Sequence, residues 1–262
     1  MMQIPKQSVI QKFHIKLIGS LVILLGLLIA SNQLLKLDIG ALIQNFDQFL
    51  ALLKEMMHPD WKSAPFVVQP ILETIQMALI GTTIGTVLAI PASVIAARNV
   101  VPNKWVTGTI RIIFNIVRTL PDLLLAALFV AIVGIGPYAG VLTLSVFSFG
   151  MITKLFYECI ETVDYGPMEA ILTTGGKRSS MVIFAVLPQV ASRFVSYILY
   201  TFEINVRAST VLGYLGAGGI GQQLQTSLSE FRYDQTAVII LAILVVVLVI
   251  DGVSNYARER LQ

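Results

Sequence analysis

From Leu17 to Leu35 the chain carries no charged side chain. Further apolar runs recur at Gln69–Ala97, Ile110–Val133, Tyr138–Tyr157, Met181–Tyr200 and Ala237–Val253. At 1.5 Å per residue, about twenty residues of helix cross some 30 Å of hydrocarbon. No water is available in that layer, so each segment must satisfy its own backbone groups, which a helix does. The pattern predicts an all-α polytopic membrane protein with six transmembrane helices. Composition agrees, since 13% of residues are charged against about 25% in soluble domains. The net charge of +3 does not imply nucleic acid, because a basic excess in such a protein records its orientation.

Thirteen of the eighteen Lys and Arg residues fall in segments that alternate to one side. Lys6, Lys12, Lys16, Arg98, Lys104, Lys177, Arg178 and Arg258 are among them. Lys36, Lys54, Lys62 and Arg232 fall on the other side, and Arg207 lies between. The positive-inside rule then places both termini in the cytoplasm. A cleaved signal peptide is the alternative for the first run, but that run is long for the role and Ala30-Ser31-Asn32 is a poor cleavage site. Residues 1–35 are read as a tail and first span, and 36–67 as an extracytoplasmic loop. Residues 68–256 are read as the main transmembrane domain and 257–262 as a cytoplasmic tail.

Within the loop, Ile39–Met57 has apolar residues at helical spacing and suits either a surface-lying amphipathic helix or an ordinary loop helix. Gly81, Gly85, Ala89, Ala92 and Ala96 place small residues where a neighbouring helix can approach, and Pro91 predicts a kink. The third run is interrupted by Arg118-Thr119-Leu120-Pro121-Asp122. Charges at that depth should face the bundle interior or a watery path, or brace each other as an Arg118–Asp122 pair. Gly134-Ile135-Gly136-Pro137 reads as a tight outer turn. Cys159 is the single cysteine, so there is no internal disulfide, and it suits a small apolar filler. His14 and His58 match no metal-ligand spacing.

Two polar stretches remain. In the loop 158–180, Asp164 and Gly166 are candidate caps for a short helix and Pro167 suits its first position. Glu169 is expected in the first turn, where the helix dipole favours a carboxylate. Gly175 and Gly176 fit a left-handed stop, followed by Lys177 and Arg178. About two turns of helix cannot persist alone and need a surface to pack on. The second stretch, Phe202–Gln225, holds Glu203, Asn205, Arg207, Ser209 and Thr210, then Gly213, Gly216, Gly218, Gly219 and Gly221. Glu203 and Arg207 are four apart and can pair on one helix face. Gly216-x-Gly218-x-x-Gly221 matches a dinucleotide-binding pattern, but no strand precedes it and no βαβ unit surrounds it. Irregular backbone at membrane depth, with glycine allowing close packing or lining a path, is the physical reading.

The segment Glu169-Ala170-Ile171, Gly175, then Ala185, Leu187 and Pro188 resembles the cytoplasmic signature of binding-protein-dependent ABC importer permeases. Ile171 and Ala185 depart from that signature but stay apolar. Glu203–Gly213 with Gly216–Gly221, and Arg118–Asp122 with Val133–Gly140, resemble the phosphonate importer subfamily. The resemblance covers roughly 68–256 and implies the type I, MetI-like permease fold. It also implies a coupling helix whose residues are Asp164, Gly166, Glu169, Ala170, Gly175, Lys177, Leu187 and Pro188. A translocation path would use Arg118, Asp122, Glu203, Asn205, Arg207, Ser209 and Thr210, with the five glycines as gate or close packing. Partners would be a second copy of the chain, a pair of ATP-binding subunits carrying ATP and Mg, an extracytoplasmic phosphonate-binding protein and membrane lipid. No G-x-x-x-x-G-K-[ST] loop occurs in the chain, so the motor is expected elsewhere. A gradient-driven secondary transporter would share the intramembrane charges but has no reason to carry the signature. An intramembrane enzyme is a third class, and no H-E-x-x-H or G-x-S-x-G motif supports it.

Overall fold

The structure, a computed structural model, describes residues 15–35, 40 and 44–260. Expectations resting on Lys6, Lys12, His14, Lys36, Ile39, Leu42 and Ile43 lie outside those residues. The chain divides into two units, Met1–Lys54 and Glu55–Gln262.

Helix α1, Ile15–Leu35, belongs to the first unit, and α2, Phe46–Met56, runs across the boundary between the two. The apolar part of α1, Leu17–Gln33, is about 25 Å long. It is shorter than the long helices of the second unit. In α2, Phe46, Phe49, Leu50 and Leu53 recur at the 3–4-residue spacing of one apolar stripe, and Phe46 and Phe49 pack ring on ring at 6.0 Å.

The second unit is a helical bundle. A 3₁₀ turn at Trp61–Ser63, capped by Asp60, leads into α3, Ala64–Ala96. Then come α4, Lys104–Thr119, and α5, Asp122–Val133. Helix α6 covers Pro137–Glu161 and the short α7 covers Tyr165–Thr173. One turn, α8 (Arg178–Met181), runs through a π-helical turn at Val182–Val186 into α9, Leu187–Leu212. After a 3₁₀ turn at Gly213–Leu215, α10 spans Gly219–Ser229 and α11 spans Tyr233–Glu259.

Helices α3 and α6 form the central pair. A Cβ on Gly81 would lie 2.6 Å from Leu144 Cβ, and one on Gly85 would lie 2.5 Å from Ser148 Cβ. The small residues on α3 therefore set a backbone approach that no larger residue permits. One core cluster, around Phe156, Ile160, Met168, Met181 and Val190, fills the end of the bundle nearest α7. There Phe156 stacks on Phe194 with centroids 3.7 Å apart. A second cluster, around Met77, Leu144, Val206 and Leu212, fills the middle.

Trp61–Ala96, Pro137–Glu161, Arg178–Leu215 and Tyr233–Glu259 are each long and apolar enough to cross a membrane. Two expectations need correction. The third run is not one rod: α4 and α5 meet at an 83° bend. Pro121 cannot donate a backbone hydrogen bond, and Leu120 is extended, so the helix stops and restarts there. The polar stretch Phe202–Gln225 is mostly regular, since α9 continues to Leu212 and irregular backbone is confined to residues 213–218.

Candidate functional site

Helix α7 starts where Asp164 ends the turn after α6. Its Oδ1 accepts from the Gly166 N–H at 3.1 Å, capping the helix from the position the sequence suggests. Helical geometry begins two residues earlier than expected, at Tyr165. Pro167 is therefore the third helical residue rather than the first, and Glu169 falls past the first turn. The far end closes as a Schellman motif. Gly175 has φ +80°, its N–H donates to Leu172 O at 3.1 Å, and the Gly176 N–H donates to Ile171 O at 2.9 Å.

Two side chains hold this helix down. Met168 is 1% exposed and enters the core beside Met181, with Ile171 packed against the same cluster. Tyr165, Glu169, Ala170 and Leu172 stay exposed on the outward side. The base is braced from α9. Gln189 Oε1 accepts from the Asp164 N–H at 3.0 Å, while Gln189 Nε2 donates to Ala185 O at 2.8 Å. Arg193 Nη1 donates to Thr162 Oγ1 at 3.1 Å. Pro188 lies two residues past the π-helical turn, and the Leu187 N–H reaches back five residues to Val182 O. The turn between α6 and α7 is thus tied to α9 twice, at Thr162 by Arg193 and at Asp164 by Gln189. Lys177 caps the start of α8 and is exposed.

The residues expected along a path sort into three places. Arg118 and Asp122 flank the bend and do not pair with each other among the described ion pairs; Asp122 begins α5 instead, where the dipole favours it. Asn205 is wholly buried. Its Nδ2 donates to Thr82 Oγ1 at 2.7 Å and to Ser148 Oγ at 2.6 Å, tying the last third of α9 to the middles of α3 and α6. Ser209 is buried too and bonds Val206 O at 2.8 Å, while Thr210 bonds Arg207 O at 2.7 Å.

Glu203 and Arg207 pair as the spacing suggests, and two residues that sequence reasoning missed join them. Arg207 Nη2 also contacts Asp251 at 2.8 Å, and Arg258 Nη2 contacts Glu203 Oε2 at 3.0 Å. The four charges balance and link α9 to α11. The signal available was a lone Asp inside the most apolar run of the chain, an expensive placement that asks for a partner. Arg207 remains 47% exposed.

The glycines lie at the opposite end of α9. Gly216 and Gly218 have positive φ, and the Gly136 N–H donates to Gly216 O at 2.8 Å. A Cβ on Gly213 would lie 2.6 Å from Gly218 O, one on Gly219 2.5 Å from Thr74 Oγ1, and one on Gly221 1.9 Å from Thr210 O. The run folds backbone onto backbone. The start of α10 is capped from α3: Glu73 Oε2 accepts from the Gly219 N–H at 3.1 Å and Thr74 Oγ1 from the Ile220 N–H at 2.8 Å.

The family model for the binding-protein-dependent transport system inner membrane component matches residues 89–262. The phosphite transport system permease protein PtxC of Stutzerimonas stutzeri is 37% identical over 93% of this chain and 89% of its own length. The phosphate-import permease protein PhnE of Mycolicibacterium smegmatis is 36% identical over 91% of this chain and 45% of its own length. In fold, the chain is similar to a structure of the MetNI methionine ABC transporter in an inward-facing conformation. That match has a TM-score of 0.69 at 22% identity and covers 78% of this chain and 99% of the other.

Proposed function

The chain belongs to the family of binding-protein-dependent transport system inner membrane components, and from that premise we propose that it translocates a phosphorus oxyanion, phosphite or a phosphonate. As a multi-pass inner-membrane permease subunit it carries no motor of its own. In this reading six spans place both termini in the cytoplasm, with α7 on the cytoplasmic side. Two copies face each other, and each α7 sits on an ATP-binding subunit that holds ATP and Mg. An extracytoplasmic binding protein delivers the ligand to the glycine-rich end.

The observation that carries the coupling role is α7 itself. It is anchored by Met168 from beneath, braced by Gln189 at its base and bare on the outward side, where Tyr165, Glu169, Ala170 and Leu172 form a small mixed surface. Closure of an ATP-binding pair would push that surface as a rigid body and tilt α6 and α9 together. The ligand class rests on the relatives. The half-exposed Arg207 supports it, because a charged side chain within a spanning helix faces protein or water, not lipid, and can meet an oxyanion.

The test is uptake of radiolabelled phosphite and methylphosphonate by cells expressing the chain with its neighbouring subunits. Uptake should stop on ATP depletion and survive collapse of the ion gradients, and a detergent pull-down should recover an ATPase. Gradient-dependent uptake with no ATPase recovered would overturn the coupling reading and favour a secondary transporter. ATP-dependent uptake of some other solute would overturn the ligand alone.

A further inference from the structure

At the α7 end of the bundle, between the end of α3 and the start of α4, lies a cavity of about 310 Å³ lined by Arg98, Val101, Pro102, Lys104 and Thr107. The local charges there do not cancel. Glu161 pairs with Arg111 and accepts the Arg98 backbone N–H at 2.8 Å, so its charge is already matched. Arg111 is further held by Ala96 O at 2.9 Å and lies over the Tyr157 ring at 4.3 Å. Arg178 reaches Val100 O at 3.4 Å, adding another cation beside the loop. Among the described residues, the side chains of Arg98 and Lys104 enter no ion pair.

Directly along the same two helices runs a second cavity of about 380 Å³. Leu88, Ala92 and Ile95 of α3 line it, facing Ile110, Ile113 and Phe114 of α4. Ile110 follows Thr107 by three residues and Ile113 by six, about 4.5 and 9 Å along the axis. The basic cup and the apolar groove thus follow one another along α3 and α4, Arg98 lying three residues beyond Ile95 and Ile110 three beyond Thr107. Trp105 is 86% exposed at the rim of the cup, and Ile112 and Ile116 carry bare apolar surface along the outer side of α4. Tryptophan beside lysine at such a level marks the boundary between water and hydrocarbon.

We propose that this composite cleft binds one anionic phospholipid, its phosphate between Arg98 and Lys104 and an acyl chain in the α3–α4 groove. Basic pockets between membrane helices hold anionic head groups through such charge pairing. A free phosphate compound would use the cup but leave the groove without an occupant. The site adjoins the base of α7 through Asn99, whose Nδ2 donates to Ile160 O at 2.6 Å, so an occupied cleft would also steady the loop that carries α7.

The test uses the full chain, purified and delipidated in neutral detergent, with Trp61→Phe leaving Trp105 as the single tryptophan. Phosphatidylglycerol and phosphatidylcholine with brominated acyl chains are titrated, and quenching of Trp105 is read. Phosphatidylglycerol should quench at concentrations roughly thirtyfold lower, since two cations contribute about fivefold each. Arg98→Ala with Lys104→Ala should abolish the preference, while Arg98→Lys with Lys104→Arg should keep it and show that the fold tolerates change there. Ala92→Phe, which fills the groove, should weaken quenching by the anionic lipid. Equal quenching by both lipids, or a preference that survives the double alanine variant, would overturn the proposal. So would displacement by sn-glycerol 3-phosphate at lipid-like concentrations, which would mark a free-phosphate site. The proposal needs the membrane placement of the chain but not its ligand, so quenching as expected with no phosphite uptake would refute only the transport assignment.

Discussion

Replacing Met168 with alanine should release α7 without unfolding the bundle. Met168 is the one wholly buried side chain of that helix, at 1% exposure, and it enters the cluster of Met181, Val186 and Val190. Truncating a buried methionine to alanine costs about 2–5 kcal/mol, less where the surroundings can collapse. This site lies at one end of the bundle, so we take about 2–3 kcal/mol. A nine-residue helix has almost no stability of its own, so the loss falls on its docking. Amide exchange across 165–173 should then accelerate roughly thirty- to hundred-and-fiftyfold, while exchange in the core of α6 changes little. Hydrogen–deuterium exchange of the purified chain reads both regions in one experiment. Leu172→Ala is the counterpart: Leu172 is 43% exposed, so exchange should not change, but retention of an ATP-binding subunit should fall if that face docks on it. Unchanged exchange in Met168→Ala would refute the anchoring argument. So would a uniform acceleration across α6 and α9, because α7 would then be part of the global core.

Gly85→Ala should destabilise the chain by about 1–3 kcal/mol, because its Cβ would meet Phe149 N at 2.8 Å and Ser145 O at 2.9 Å, both backbone atoms. Gly108→Ala, with open space around it in mid-helix, should gain up to about 1 kcal/mol, and thermal melts in detergent compare the two directly. Gly175→Ala should cost about 1 kcal/mol at the α7 stop, where φ is +80°, and Gly175→Asn should recover part of that loss in the same exchange measurement. Asn205→Asp would put an unpaired charge at a wholly buried crossing of three helices and should lower the folded yield severalfold by size-exclusion profile; Asn205→Ser should be tolerated better.

What the sequence disclosed and what it hid divide along the range of the interactions. The limits of α7 were readable because Asp164 caps a backbone N–H two residues away and Gly175 supplies a local left-handed turn. The small residues of α3 were readable as close packing because their spacing is a property of one helix, although the partner surface on α6 was not. The continuation of α9 through Leu212 was hidden. Glu203, Asn205 and Arg207 look like a reason to leave helical order at membrane depth, yet each finds a partner far along the chain. Asn205 finds Thr82 and Ser148, and Arg207 finds Asp251. A polar side chain with a tertiary partner no longer competes with the helix, so its local propensity loses its force. The break at Pro121 went the other way. A proline that removes a donor, with the preceding residue pushed to extended geometry, acts within two residues and cannot be rescued from a distance. Pro188 shows the intermediate case. The turn before it widens to π geometry, with the Leu187 N–H reaching back to Val182 O, and the helix survives, while Gln189 Nε2 adds a bond to Ala185 O beside it. That same Gln189 holds the base of α7, so one side chain braces both α7 and the turn around Pro188. Gln189→Ala should therefore loosen both: exchange should rise at Asp164–Gly166 and at 185–187 together. A rise at only one of them would show the two functions to be separable.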